Sequence, residues 1–191
     1  MIPLKSKLLS IEEWLQLEIE NNVKYAYYTG QVFEMAGGSF NHNTLAQDMS
    51  RIAANALIAT ESGCDYHNSE MKLELSPNQK YVYTDGMITC GPPDIVSRSN
   101  GIVANPTVII EVLSDSTEAY DRGEKFSDYR RLKLLQQYVL IHQDKPKVEL
   151  FTRNTHLWTM QILEGLDKTL VLDSVNIKVS LQALYRRISF D

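Results

Sequence analysis

The spacing of hydrophobic positions changes several times along the chain, and each change predicts an element. Ser10 followed three residues later by Glu13 is a capping-box pattern, with Trp14, Leu15 and Ile19 on one side, so a short packing helix is expected to about Glu20. Residues 25–29 and 31–35 flank Gly30 as two strands of a tight hairpin, and Ala36-Gly37-Gly38-Ser39 breaks the second. Leu45, Met49, Ile52, Ala53, Ala56 and Leu57 then form a stripe at steps of three and four, which predicts a long helix over about 41–60. His42 stands at its start, where it either caps the helix or reaches a site.

Residues 66–75 alternate Met71, Leu73 and Leu75 with Glu70, Lys72 and Glu74, a half-buried strand. Residues 81–89 read as the next strand and carry Asp85. The run Val108-Ile109-Ile110-Glu111-Val112-Leu113-Ser114 reads as a strand buried on both faces. Ser114-Asp115-Ser116-Thr117 is a helix-start cluster leading into a helix to about Leu135. A buried strand at 138–142, a meander over 148–152 and 157–162, and a short helix at 180–185 complete the order. Together these predict one mixed α/β domain over residues 1–191. Its central mixed sheet should have four or five strands, the Glu111 strand interior, and the 41–60 and 117–135 helices packed on it.

Composition narrows the class only slightly. A 191-residue chain with 43% hydrophobic and 23% charged residues is ordinary for a globular protein, and no apolar run approaches the roughly 20 residues that span a bilayer. Met1–Lys7 lacks the sustained apolar stretch of a signal peptide. Cys64 and Cys90 have no metal-like spacing and read as small core residues, so a reducing cytoplasm is expected. The net charge of -5 argues against coating nucleic acid through bulk charge. It does not argue against an enzyme that acts on nucleic acid.

The candidate chemistry begins with Glu111. A lone ionised carboxylate on a buried strand costs several kcal/mol unless it is paired, hydrogen-bonded or metal-bound. Asp85, on the preceding strand, offers a second acid. Two acids on neighbouring strands suit a divalent cation such as Mg²⁺, which takes hard oxygen ligands, and a nearby lysine could steady an attacking hydroxide or the charge developing on phosphorus.

Tyr83-Thr84-Asp85, the 108–114 run and Asp121-Arg122-Gly123-Glu124-Lys125-Phe126-Ser127-Asp128-Tyr129 together resemble the Uma2 family, common in cyanobacteria. The likeness extends to Met35–Ser39 with His42 and to residues 138–141. That family resembles the PD-(D/E)XK superfamily, which implies a restriction-endonuclease-like fold. It also implies Mg²⁺- or Mn²⁺-dependent hydrolysis of phosphodiesters in nucleic acid, with DNA the expected substrate. The resemblance assigns Asp85 and Glu111 to the metal.

The literal Pro93-Asp94 is set aside because it follows a Gly-Pro-Pro break, whereas the family places its acid on the strand before that loop. Thr84 stands where the family usually has proline, and Leu113 where the superfamily has its lysine. Lys125, on the following helix, is the expected replacement, with Lys72 the other candidate. Glu70 adds an acid if its strand face turns inward; otherwise it belongs to a solvated face with Lys72 and Glu74. Asp121 and Arg122 read as helix caps and braces and Tyr129 as packing, while His67, His142 and His156 show no ligand spacing. The alternative reading is a nucleic-acid-binding or protein-interaction module that has kept the fold without efficient chemistry. Duplex cleavage would favour a two-fold homodimer.

Overall fold

A computed structural model describes residues 7–35, 37–97, 100–114, 117–155 and 157–190. The expectations for Met1–Ser6, Ala36, Asp115, Ser116 and His156 fall outside the described residues. Helix α1 (Ile11–Asn21) begins at the predicted capping box, with Ser10 accepting from the Glu13 N–H and the Glu13 side chain accepting from the Ser10 N–H. Strands β1 (Tyr25–Tyr28) and β2 (Gln31–Glu34) form the hairpin through Thr29-Gly30, both at positive φ. Helix α2 (Phe40–Ala59) follows. Then come β3 (Cys64–Asn68), β4 (Lys72–Ser76), β5 (Lys80–Tyr83), β6 (Gly86–Cys90), β7 (Ile95–Ser97), β8 (Ile102–Val103) and β9 (Pro106–Leu113). A helical segment comprises α3 (Glu118–Tyr120), a π turn (Asp121–Lys125) and α4 (Phe126–Tyr129). Strands β10 (Gln137–His142), β11 (Lys147–Asn154), β12 (Leu157–Glu164), β13 (Thr169–Leu172) and β14 (Ile177–Ser180) lead to α5 (Leu181–Leu184).

The strands form two six-stranded mixed sheets, ordered β2-β1-β5-β4-β8-β7 and β12-β11-β10-β9-β6-β3, and a β13-β14 pair. The sequence led us to expect one sheet of four or five strands. The difference arises at two places where one predicted strand crosses between sheets. Residues 66–75 split at Ser69-Glu70-Met71 into β3 and β4, and residues 81–89 split at Thr84-Asp85 into β5 and β6. A strand-like pattern records which side of a residue is buried, not which neighbour it bonds, so neither break is marked by it.

Strand β9 is interior, antiparallel to β6 and parallel to β10. Its alternation sorts two cores. Val108, Ile110 and Val112 pack with Leu45, Met49, Ala53 and Leu57 of α2. Ile109 and Leu113 pack toward Leu73, Val82 and Val103 of the first sheet and Tyr129, Leu132 and Leu135. Glu111 shares the side of Ile109 and Leu113, and so points between the two sheets beneath the helical segment. Helix α1 covers the far side of the first sheet through Trp14 and Leu17, with Trp14 Nε1 donating to the Tyr25 carbonyl at 2.9 Å. Ile19, expected on that apolar side, is exposed.

Cys64 and Cys90 face each other across β3 and β6 and form a disulfide, where the sequence suggested separate core residues. Spacing of 26 residues gave no hint of this; strand register creates it. The same pair of strands places Tyr66 over Gly86. A Cβ on Gly86 would lie 1.8 Å from the Tyr66 hydroxyl, so this position has no room for any side chain. Gly86→Ala should lower stability by ~1–3 kcal/mol through overpacking. An unchanged denaturant midpoint would mean that Tyr66 moves aside freely.

Candidate active site

The site forms at the break between β5 and β6, where the sheet exchange leaves Asp85 free of either ladder. Val112 N–H donates to Asp85 Oδ2 at 2.7 Å, and His42 Nε2 lies 3.1 Å from the same oxygen. Asp85 N–H in turn points at Glu111 Oε2, at 3.4 Å. These contacts bring the two predicted acids together. Asp94 is exposed in the loop before β7, its N–H held by Asn105 Oδ1.

Glu111 is only 3% exposed and its other oxygen is firmly held. Lys125 Nζ lies 2.7 Å from Oε1, and the Tyr129 hydroxyl donates to the same atom at 2.7 Å. Lys125 also pairs with Asp121 at 3.3 Å, within the π turn, and its ammonium lies near the Tyr120 and Tyr129 rings. The Tyr120 hydroxyl is hydrogen-bonded to that of Tyr28, which ties the helical segment to the first sheet. Asp121, Lys125 and Tyr129 thus line up at steps of four. This spacing was visible in the sequence, but nothing there showed that the stripe faces a carboxylate. The helix ends at Tyr129, short of the expected Leu135. Leu132 N–H returns to Tyr129 O and Leu135 N–H to Leu132 O, so both leucines enter the core from turns.

Burial pushes Glu111 up to about 8; Asp121 and Asp85 add to the rise, and Lys125 opposes it. Burial pulls Lys125 down, but the charges of Glu111 and Asp121 outweigh this and hold it above the ordinary lysine range. The His42 imidazole follows the same pattern. Burial lowers it, and the hydrogen bond and charge of Asp85, with Glu111 and Asp121 beyond, raise it overall. His42 therefore reaches the site, one of the two roles its position allowed.

The other candidates sit elsewhere. Glu70 lies in the turn between β3 and β4, exposed, and pairs with Lys24 at 2.6 Å. Its expected inward strand face does not exist, because the strand breaks there. Lys72 pairs with Glu18 at 3.2 Å and sits over the Tyr83 ring. Arg122 does more than brace a helix. It joins Glu149 of β11, which also receives His142 and Lys147. Burial raises Glu149, but these partners pull it down to about 2. Leu140 stands opposite both Glu111 and Glu149 in the ladders, so the helical segment is pinned across the sheet by the buried Lys125 on one side of that leucine and the partly exposed Arg122 on the other.

The donor chemistry fits a hard divalent cation. Among the described residues Glu111 Oε2 has the long contact from Asp85 N–H, and Asp85 is about one-fifth exposed at the rim. Among the described residues no group of three or more His, Cys, Asp or Glu gathers as a ready-made cage. Mg²⁺ is commonly held by one or two carboxylates, with water and substrate phosphate completing its shell.

Two mixed sheets, with Glu111 on an interior strand of one, Asp85 at the crossing between them and Lys125 on Glu111, frame the candidate site. The crystal structure of a putative nuclease belonging to DUF820 from Anabaena variabilis has the same fold, with a TM-score of 0.72 over 93% of this chain and 98% of that one, at 14% identity. The chain belongs to the Uma2 family, described as putative restriction endonuclease, whose model matches residues 11–183. Two Synechocystis relatives, the uncharacterized proteins slr1290 and sll1609, are similar along most of their length. The first is 34% identical over 95% of this chain and 94% of its own, the second 32% over 86% and 93%. No helix among the described residues is long and apolar enough to cross a membrane.

Proposed function

We propose that the chain is a divalent-cation-dependent endonuclease that hydrolyses phosphodiester bonds in nucleic acid. The observation that carries this reading is the convergence of Asp85, Glu111 and Lys125, with the Asp85 N–H and the Lys125 ammonium on opposite oxygens of Glu111. Asp85 and Glu111 would hold Mg²⁺ or Mn²⁺. Bound there, the cation supplies Lewis-acid polarisation of a phosphoryl oxygen and a water acidic enough to attack at neutral pH.

The chain's own groups do the rest. Lys125, kept charged by Glu111 and Asp121, places positive charge where negative charge grows on phosphorus. Tyr129 fixes the Glu111 carboxylate from below, and the Val112 N–H fixes Asp85. His42, its Nε2 3.1 Å from Asp85, helps to orient that carboxylate. Attack forms the new phosphorus–oxygen bond as the bond to the leaving oxygen breaks, giving a phosphate monoester and a hydroxyl.

The test is nicking of supercoiled plasmid and of single-stranded oligonucleotides with Mg²⁺, with Mn²⁺ and with chelator. Cleavage should require the cation and should disappear in Asp85→Asn, whose amide can still accept from the Val112 N–H. A protein that binds nucleic acid or a protein partner but cleaves nothing under any of these conditions would replace this reading with the binding module. Gel filtration of the same preparation decides whether the active form is a homodimer.

A further inference from the structure

Among the described residues, the outer strands of the two six-stranded sheets are β2, β7, β3 and β12. An outer strand presents unpaired N–H and C=O groups to any other strand, and proteins guard such edges with short strands, charges, proline or bulges. Three of the four are guarded. Strand β2 has four residues and ends at the exposed Glu34, β7 has three and a register shift against β8, and β3 has five with an exposed Asp65. Strand β12 has eight, pairs with β11 along its whole length without a shift, and holds no proline, lysine or arginine. Its single charge, Glu164, stands at its end.

The side chains make this edge apolar as well. Leu157, Met160 and Ile162 are 71%, 54% and 48% exposed. Trp158, Met160 and Ile162 share one side of the sheet. Phe126 lies edge-on to the Trp158 ring, and Phe151 is the register partner of Met160, so that side has a rigid aromatic backing. Leu157, Thr159, Gln161 and Leu163 share the other side.

The order of residues along β12 identifies what completes it. Antiparallel pairing of two copies about a two-fold axis normal to the sheet keeps each side with its like. With Met160 on the axis, Leu157 meets Leu163 of the partner subunit, Trp158 meets Ile162 of the partner subunit, and Thr159 meets Gln161 of the partner subunit. Every apolar residue then faces an apolar one and every polar residue a polar one, and Trp158 with Ile162 is an aromatic–β-branched pair, one of the favourable kinds. The neighbouring registers break this match. An axis at Gln161 sets Trp158 against Glu164 of the partner subunit, and an axis at Thr159 sets Leu157 against Gln161 of the partner subunit. In the Met160 register the two Glu164 carboxylates stand at opposite ends of the ladder, so no like charges meet. We propose that β12 pairs with β12 of a second copy in this register, an isologous homodimer in which two six-stranded sheets join into one. This interface requires none of the chemistry proposed for the acid pair.

Sedimentation velocity of the full chain over a dilution series should show a monomer–dimer equilibrium. Met160 is exposed, so Met160→Lys should leave the melting temperature of the dilute chain unchanged. It sets two like charges opposite each other on the axis, and should raise the dissociation constant at least about tenfold. Met160→Glu should do the same. An equimolar mixture of these two variants should dimerise again, because opposite charges then meet. Met160→Cys should cross-link into a covalent dimer on mild oxidation and Gln161→Cys should not, since only residue 160 faces itself. Amide exchange in β12 should slow as the chain is concentrated.

A chain that stays monomeric at every concentration overturns the inference and leaves the edge to a strand of another protein. A dimer that Met160→Lys leaves intact overturns it too, because the contact then lies on another face. Failure of the two charge variants to recombine, or cross-linking through Gln161→Cys in place of Met160→Cys, overturns the register. None of these readouts involves cleavage, so they stand or fall apart from the nuclease reading.

Discussion

Glu111→Gln is expected to reduce cation-dependent nicking by at least about 10³-fold, at the upper end of what loss of one transition-state contact costs, while the fold survives. The amide oxygen can still accept from Tyr129, and Lys125 keeps Asp121. The substitution also removes a titration. Glu111 in the folded protein sits near 8, above its ordinary value of 4.5. The folded chain thus holds a proton that the unfolded chain releases, and stability is fully present below 4.5 and falls as pH rises through about 8. In metal-free protein, melting temperature should decline across that window, and Glu111→Gln should flatten the decline. Retention of nicking by the variant would move the chemistry away from this carboxylate. An equally steep pH profile would mean that another group carries the titration.

The second large effect is expected from Lys125→Met. The side chain is buried between Glu111 and Asp121, so its removal leaves two acids facing one another without a cation. Breaking a buried pair from one side costs ~3–5 kcal/mol, and that loss should appear near pH 8. Lys125 is what opposes the upward push on Glu111, so without it Glu111 holds its proton to still higher pH. The unaltered chain also takes up this proton below about 8, so the deficit should be nearly constant at lower pH and grow as the pH rises above 8. Urea denaturation below and above that value separates this from simple loss of packing, which would cost the same at each. The lysine is thus structural as well as proposed to be catalytic. A low turnover in this variant counts against catalysis only after its folded fraction has been measured.

Much of the fold was legible because its signals are local. The Ser10–Glu13 box, the α2 stripe and the apolar β9 run each place an element from its own residues. The sheet count was not legible, since both crossings between sheets fall inside runs that read as single strands. For the site, the acids could be read from strand context and resemblance. Their surroundings could not. Tyr129 reads as a core aromatic because a ring on a helix is usually packing; its hydroxyl matters only because Glu111 lies opposite. His42 read more readily as a cap or a solvated side chain; Ser39 performs the capping, leaving the imidazole for Asp85. Cys64 and Cys90 became partners only through the β3–β6 register.

The placement of the site's lysine on the helical segment, and not on β9, makes the order of assembly matter. A strand that carried both acid and lysine would bring its countercharge wherever it went. Here β9 can pair with β6 and β10 while Glu111 is still hydrated and ionised, and the ammonium arrives only when residues 118–129 settle across the sheet. That docking step must strip water from Lys125, Glu111 and Asp121 together, along with Arg122 and Glu149 on the other side of Leu140. A chain caught before it would have formed sheets but no closed charge pair. Amide exchange in 118–129 should then report sub-global openings that leave β9 and β10 protected.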